Sequence, residues 1–244
     1  MGVCKGDRVM IYVSNCIQWV IAFIGIQKLG AVIVPVSPIY TSHELDYMVR
    51  DSGAETLICL DTNFCYVKEV MDQTGLKRVI VTNLVDLLPP WKRYLGVLFD
   101  KIPNGKVDNS TGVFSFISLL RHEPLRTPAE IDPMTDLSYL LYTGGTTGFP
   151  KGVPGNHSGM TSYVNDVTQD VAGDRLLEGR DVYIAINPMF HHHGPWPVHV
   201  DRPEQGQYNG ADARPSGGCH SGKHSAVSCA LASGCARPVP DDPG

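Results

Sequence analysis

The chain has 244 residues, enough for one large or two small domains, and its apolar share of 43% suffices for a core. A net charge of −5 with no basic block excludes nucleic acid as an expected partner. No apolar run approaches the ~20 residues of a spanning helix, Met1 leads into Lys5-Gly6-Asp7 rather than a signal peptide, and seven cysteines without C-x-x-C spacing suggest reduced thiols, so the sequence reads as cytoplasmic.

Taken in order, Val9 to Val13 is a short apolar strand, and Ser14-Asn15 is a turn and a candidate helix cap. Ile17, Val20, Ile21, Ile24 and Leu29 then recur at helical spacing. Gly30 stops that helix, where a left-handed residue costs little. Ala31 to Val36 is a β-branched run of the kind found in buried parallel strands. Thr41-x-x-Glu44 before Leu45 reads as a capping box. Leu45, Met48 and Val49 give the following helix one apolar face, and Gly53 closes it. Glu55 to Leu60 is the third strand, Asp61 or Thr62 is placed to cap a helix through Met71, and Arg78 to Val81 is the fourth strand. Strands alternating with helices at this spacing predict an α/β fold with a parallel sheet and crossover helices.

Leu87 to Leu120 is less regular. Pro89 to Leu95 can form an exposed amphipathic helix, and Trp91 beside Lys92 and Arg93 suits a membrane interface. The preferred alternative is a surface helix packed on its own domain, with weak peripheral membrane contact kept open. Leu137 to Leu141 is a further strand, His157 to Val171 a helix with Met160, Tyr163, Val164 and Val167 on one face, and Asp181 to Ile186 a strand.

Between those elements lies Tyr142-Thr143-Gly144-Gly145-Thr146-Thr147-Gly148-Phe149-Pro150-Lys151-Gly152. Glycines let backbone N–H groups approach an anion closely, threonine hydroxyls add donors, and Lys151 adds a positive charge. Those properties suit a triphosphate. The string is not the Walker pattern, because Lys151 follows Pro150 and precedes Gly152, and G-x-G-x-x-G is absent. Pro150 also argues against a helix starting inside the loop.

The Thr143 to Gly152 string resembles the phosphate loop of the adenylate-forming enzymes: acyl-CoA synthetases, adenylation domains of peptide synthetases, and luciferases. A second string, Pro188-Met189-Phe190-His191-His192-His193-Gly194, is similar to that family's Pro-x-Phe-His-x-x-Gly turn. Lys5-Gly6-Asp7-Arg8-Val9, Lys28-Leu29-Gly30-Ala31 and Asp51-Ser52-Gly53-Ala54 look like the start of an acyl-CoA ligase's large domain. The resemblance runs from about Gly2 to Trp196 and is nearest to the fatty acyl-CoA ligases.

It implies parallel-sheet βαβ subdomains of the large N-terminal domain, incomplete, over residues 1–196. It also implies ATP-dependent conversion of a carboxylic acid, of the fatty class, to an acyl-adenylate and then a coenzyme A thioester. Thr143, Gly144, Gly145, Thr146, Thr147, Gly148 and Lys151 would hold the phosphates of ATP, whose oxygens Mg²⁺ bridges, and His191 would border the acyl and nucleotide pocket. A metal site at His191 to His193 is not expected, since consecutive turn residues seldom converge on one ion.

Residues 198 to 244 contain one Leu and no Ile, Met, Phe or Trp. Residues 197–244 therefore read as a tail outside the family, disordered or frame-shifted; a Cys/His metal module around Cys219, His220, His224, Cys229 and Cys235 lacks zinc spacing. The family's Tyr-Gly-x-Thr-Glu string, its ribose-binding Asp and its C-terminal domain with the catalytic lysine are not found in the sequence. The alternative function is therefore an inactive truncated or pseudogene product, at most a nucleotide-binding half-domain.

Overall fold

The computed structural model describes residues 1–99, 103–108, 110–143, 149–171 and 187–191. Strand β1 (Arg8–Tyr12) leads through α1 (Ile17–Lys28) to β2 (Val32–Pro35). Helix α2 (Ser42–Ser52) crosses to β3 (Thr56–Leu60), and α3 (Phe64–Met71) to β4 (Arg78–Thr82). Then come α4 (Pro90–Leu98), β5 (Val113–Ser115), α5 (Phe116–Leu119), β6 (Leu137–Thr143), β7 (Lys151–Asn156) and α6 (His157–Val171).

Among the described residues the strands form one seven-stranded sheet in the order β5-β4-β3-β1-β2-β6-β7. Every pairing is parallel except that of β6 with β7. The central strands are buried on both sides, and their side chains alternate between two cores as the period of two requires. Val9, Ile11, Ile33, Ile58 and Ile80 join Trp19, Ala22, Phe23 and Ile26 of α1 and Phe116 of α5 on one face. Met10, Tyr12, Val34, Leu57 and Val79 join Leu45, Met48 and Val49 of α2 and Val67 of α3 on the other. The result is a doubly wound α/β sheet, as the alternation of elements predicts.

Several boundaries follow from local chemistry as expected. The Thr41–Glu44 capping box forms reciprocally, and Gly53 ends α2 in a left-handed conformation (φ 63°). Met160, Tyr163 and Val164 of α6 pack against the first core. The side chain of Val167 and the expected strand Asp181 to Ile186 lie outside the described residues, as do residues 197–244.

Other expectations change. Ile17 is 60% exposed; Ile21 and Leu29 are buried in the first core and Val20 and Ile24 pack against it as expected, joined by Trp19, Ala22, Phe23 and Ile26. The N-cap of α1 is Cys16, not Ser14 or Asn15; burial pushes the Cys16 thiol pKa up. Asp61 and Thr62 do not cap α3. They lie in a 3₁₀ turn (Asp61–Asn63), and the Asp61 carboxylate instead accepts from Thr62, Asn83 and Gly105. Strand β7 is an addition to the expected elements. Cys16, Cys59 and Cys65 are free thiols. Among the described residues no helix is long and apolar enough to cross a membrane.

Helix α4 exists as expected, and among the described residues its side chains join neither core. Residues 90–95 are all exposed.

Candidate phosphate site at the carboxyl edge

Strand β6 is parallel to β2, so Thr143 ends at the same edge of the sheet as the carboxyl ends of β1 to β4. Ligands of open α/β sheets bind at that edge. The chain then returns antiparallel as β7, with Thr143 opposite Lys151 and Tyr142 opposite Gly152. The two expected phosphate residues at the ends of the loop are thus cross-strand neighbours. The Thr143 hydroxyl donates weakly, at 3.5 Å, to the Lys151 carbonyl. Lys151 is exposed, and its ammonium forms no ion pair among the described residues. Gly144, Gly145, Thr146, Thr147 and Gly148 lie outside the described residues.

The mouth of this hairpin is propped by α2. The Tyr142 hydroxyl donates to Asp51 at 2.6 Å, and burial, followed by the Asp51 carboxylate, pushes the phenol pKa far up. The Tyr47 hydroxyl donates to the Pro150 carbonyl at 3.0 Å, and its ring stacks on Phe149 with centroids 4.8 Å apart. Tyr47 also meets Tyr142 edge-on at 6.5 Å. One aromatic side chain therefore touches both ends of the glycine-rich loop. Sequence reasoning missed Tyr47 and Asp51. Their spacing of four puts them on one side of α2, but nothing local marks that side as the one facing the loop.

Asn15 positions the second motif. Its amide nitrogen donates to the Asn187 carbonyl at 2.9 Å, and its amide oxygen accepts from the Met189 backbone N–H at 2.8 Å. Met189 is buried against the α1 side of the sheet, which leaves His191 exposed at the end of the turn, its N–H donating to the Pro188 carbonyl at 3.1 Å. Asn15 follows β1, so both motifs reach the carboxyl edge. Only β2 separates β1 from β6; at about 4.8 Å per strand their ends are about 10 Å apart. Within the described contacts His191 does not touch Thr143 or Lys151. His192, His193 and Gly194 lie outside the described residues.

Among the described residues no three His, Cys, Asp or Glu side chains converge on a point that could hold a metal. The donor set at the loop mouth, a hydroxyl and an ammonium, fits phosphate oxygens. It fits Mg²⁺ only as a passenger on those oxygens. A separate cleft of about 330 Å³ lies between α1 and α6, lined by Phe23, Ile24, Ile131 and Met160 among others. Neither motif contributes to it.

The sequence model of a family described as "AMP-binding enzyme" matches residues 1–199. A long-chain-fatty-acid–CoA ligase of Bacillus subtilis is 33% identical over 196 residues, covering 79% of this chain and 35% of that protein. The corresponding ligase of Escherichia coli O157:H7 is 34% identical over 197 residues, covering 78% and 34%. Among solved structures, a long-chain-fatty-acid–CoA ligase from Archaeoglobus fulgidus superposes with a TM-score of 0.55 at 28% identity, over 78% of this chain and 32% of that one. An anthranilate–CoA ligase in complex with anthranoyl-AMP gives 0.62 at 25% identity, over the same two shares. The chain spans about a third of the length of the curated relatives it matches. On its sequence and on the fold that carries its two motifs to one edge, the chain belongs to the family of AMP-binding enzymes.

Proposed function

We propose that this chain carries the phosphate-loop part of an ATP-dependent acid–thiol ligase. Such a ligase joins a carboxylic acid of the fatty class to AMP and then to coenzyme A. The observation that carries the reading is the pairing of Thr143 with Lys151 at the carboxyl edge, with the Gly-Thr loop between them.

A carboxylate is a poor acylating agent, and adenylation gives it a good leaving group. The loop would contribute charge stabilisation and positioning. On this reading Thr143 to Gly148 cradle the phosphates and Lys151 neutralises the outer ones, while Mg²⁺ arrives bound to ATP. His191, held at the same edge through Asn15, borders the reacting carboxylate or phosphate and can donate to an oxygen there. Residues 1–196 would be the share of the large domain, with residues 197–244 outside it; the loss of large apolar residues after position 197 supports that boundary. A cytoplasmic location fits the composition.

Isothermal titration of the chain with MgATP tests the reading. We expect saturable binding that inorganic pyrophosphate competes away, and Lys151→Ala should weaken it at least tenfold, since a charge-assisted hydrogen bond contributes about 1.5–3 kcal/mol. A folded chain that shows no heat of binding, or a Lys151→Ala variant that binds unchanged, removes the proposal.

A further inference from the structure

Helix α2 meets the Gly-Thr hairpin at two points, one on each side of the loop. Its Asp51 carboxylate accepts from the Tyr142 hydroxyl, just before the loop, and its Tyr47 hydroxyl donates to the Pro150 carbonyl, just after it. The two contacts are spaced to match. Four residues of helix rise about 6 Å. Tyr142 stands opposite Gly152, so Pro150 lies two residues nearer the loop, about 7 Å along an antiparallel strand. One turn of α2 therefore spans the step from Tyr142 to Pro150.

Tyr47 is itself firmly seated. Leu45, Met48 and Val49 bury α2 in the second core, Tyr47 packs at the margin of that core, and the Thr41–Glu44 box fixes the first turn of the helix. From this base the Tyr47 ring stacks on Phe149, with 20° between the planes, although Phe149 stays 63% exposed. Pro150 has no N–H to give to a ladder, and its carbonyl takes the Tyr47 hydroxyl at 3.0 Å. Two successive residues are thus tied to one side chain, and the next residue is Lys151.

That placement bears on charge. A lysine ammonium is a point charge on a flexible four-carbon stem, and Lys151 is exposed. The fold can set in advance only where the stem begins. Electrostatic stabilisation depends on donors placed before the ligand arrives, so a fixed stem raises the share of conformers that reach a phosphate.

We propose that Tyr47 is a positioning residue for Lys151: its hydroxyl and ring hold Phe149 and Pro150 so that the ammonium is presented to the outer phosphates of ATP. The proposal rests on the reading of Lys151 as a phosphate-binding group. Tyr47 acts through Lys151 and not on the nucleotide itself.

The experiment is a double-mutant cycle on MgATP affinity, by isothermal titration of the whole chain. Tyr47→Phe keeps the ring and loses the hydroxyl, and Tyr47→Leu loses both. We expect Tyr47→Phe to weaken binding about fivefold, as for one ordinary hydrogen bond, and Tyr47→Leu to weaken it more than about tenfold. In a Lys151→Ala background the same substitutions should change affinity less than about twofold, because the group they position is gone. Equal weakening in both backgrounds would assign Tyr47 a purely structural role and overturn the proposal. Unchanged affinity in Tyr47→Phe overturns it as well, and that variant decides the matter alone if Tyr47→Leu does not fold. The two readings fail differently. An unsubstituted chain that binds no MgATP removes the ligase reading and this proposal with it. A chain that binds, is weakened by Lys151→Ala and is indifferent to the Tyr47 substitutions removes this proposal only.

Discussion

Strands β3 and β7 belong to one sheet and are built from opposite materials. All five residues of β3 are buried, between parallel neighbours on both sides. No residue of β7 is buried, and among the described residues it pairs on one side only. The first is held by two cores. The second is held by a ladder, by Tyr139 and Tyr142 of β6, and through Tyr142 by α2. The middle of the sheet is thus a rigid platform, while the candidate phosphate loop hangs from an edge that tertiary contacts must steady.

The largest effect should come from breaking the platform. Ile58→Ala removes a fully buried side chain flanked by Ile11 and Ile80 and should cost about 2–5 kcal/mol, read as a lower urea midpoint of the whole chain. Breaking the edge should act locally. Tyr142→Phe deletes the hydrogen bond to Asp51, worth about 1 kcal/mol, and should speed amide exchange in β7 while β1 and β3 stay protected. Equal acceleration in all three strands would show that the two regions unfold together, and the comparison would collapse.

The smallest effect is a dependence on pH. His157 opens α6 with its Nε2 buried and without a partner, and burial holds its pKa below the usual value. Because the folded value is lowered, the unfolded chain binds the proton more readily. The contribution is present above the ordinary imidazole pKa of about 6.5 and is lost as pH falls through the lower folded value. His157→Gln should flatten that part of the stability profile, measured as urea midpoints between neutral and mildly acidic pH. A profile identical in both proteins would exclude the role.

The platform was largely legible in the sequence and the edge was not. Strands β1 to β4 announce themselves as β-branched runs bounded by glycine and capping residues, because burial on both faces leaves no room for polar side chains. Strand β7, Lys-Gly-Val-Pro-Gly-Asn, reads as a turn. It pairs because Gly155 lies under the Tyr139 ring, where a Cβ would come within 2.1 Å, and because Pro154 is tolerated on an edge strand. Asn15 reads as a helix cap, yet its amide holds the Asn187 to Met189 turn, a partner no local pattern could supply. Tyr47 and Asp51 are ordinary helix-surface residues until β6 is placed beside them. Thr143, Lys151 and His191 are identifiable only because their strings resemble a family. What that resemblance could not show is how α2 and Asn15 hold them.

The Asn15 bridge joins residues 172 positions apart, and this orders events during synthesis. The first four strands and their helices emerge from the ribosome early and have local partners to fold against. At about 5–20 residues per second, Asn15 waits roughly ten to thirty-five seconds for the Asn187 carbonyl to be made. The platform can be complete by then, and the His191 turn is added to it as a late passenger.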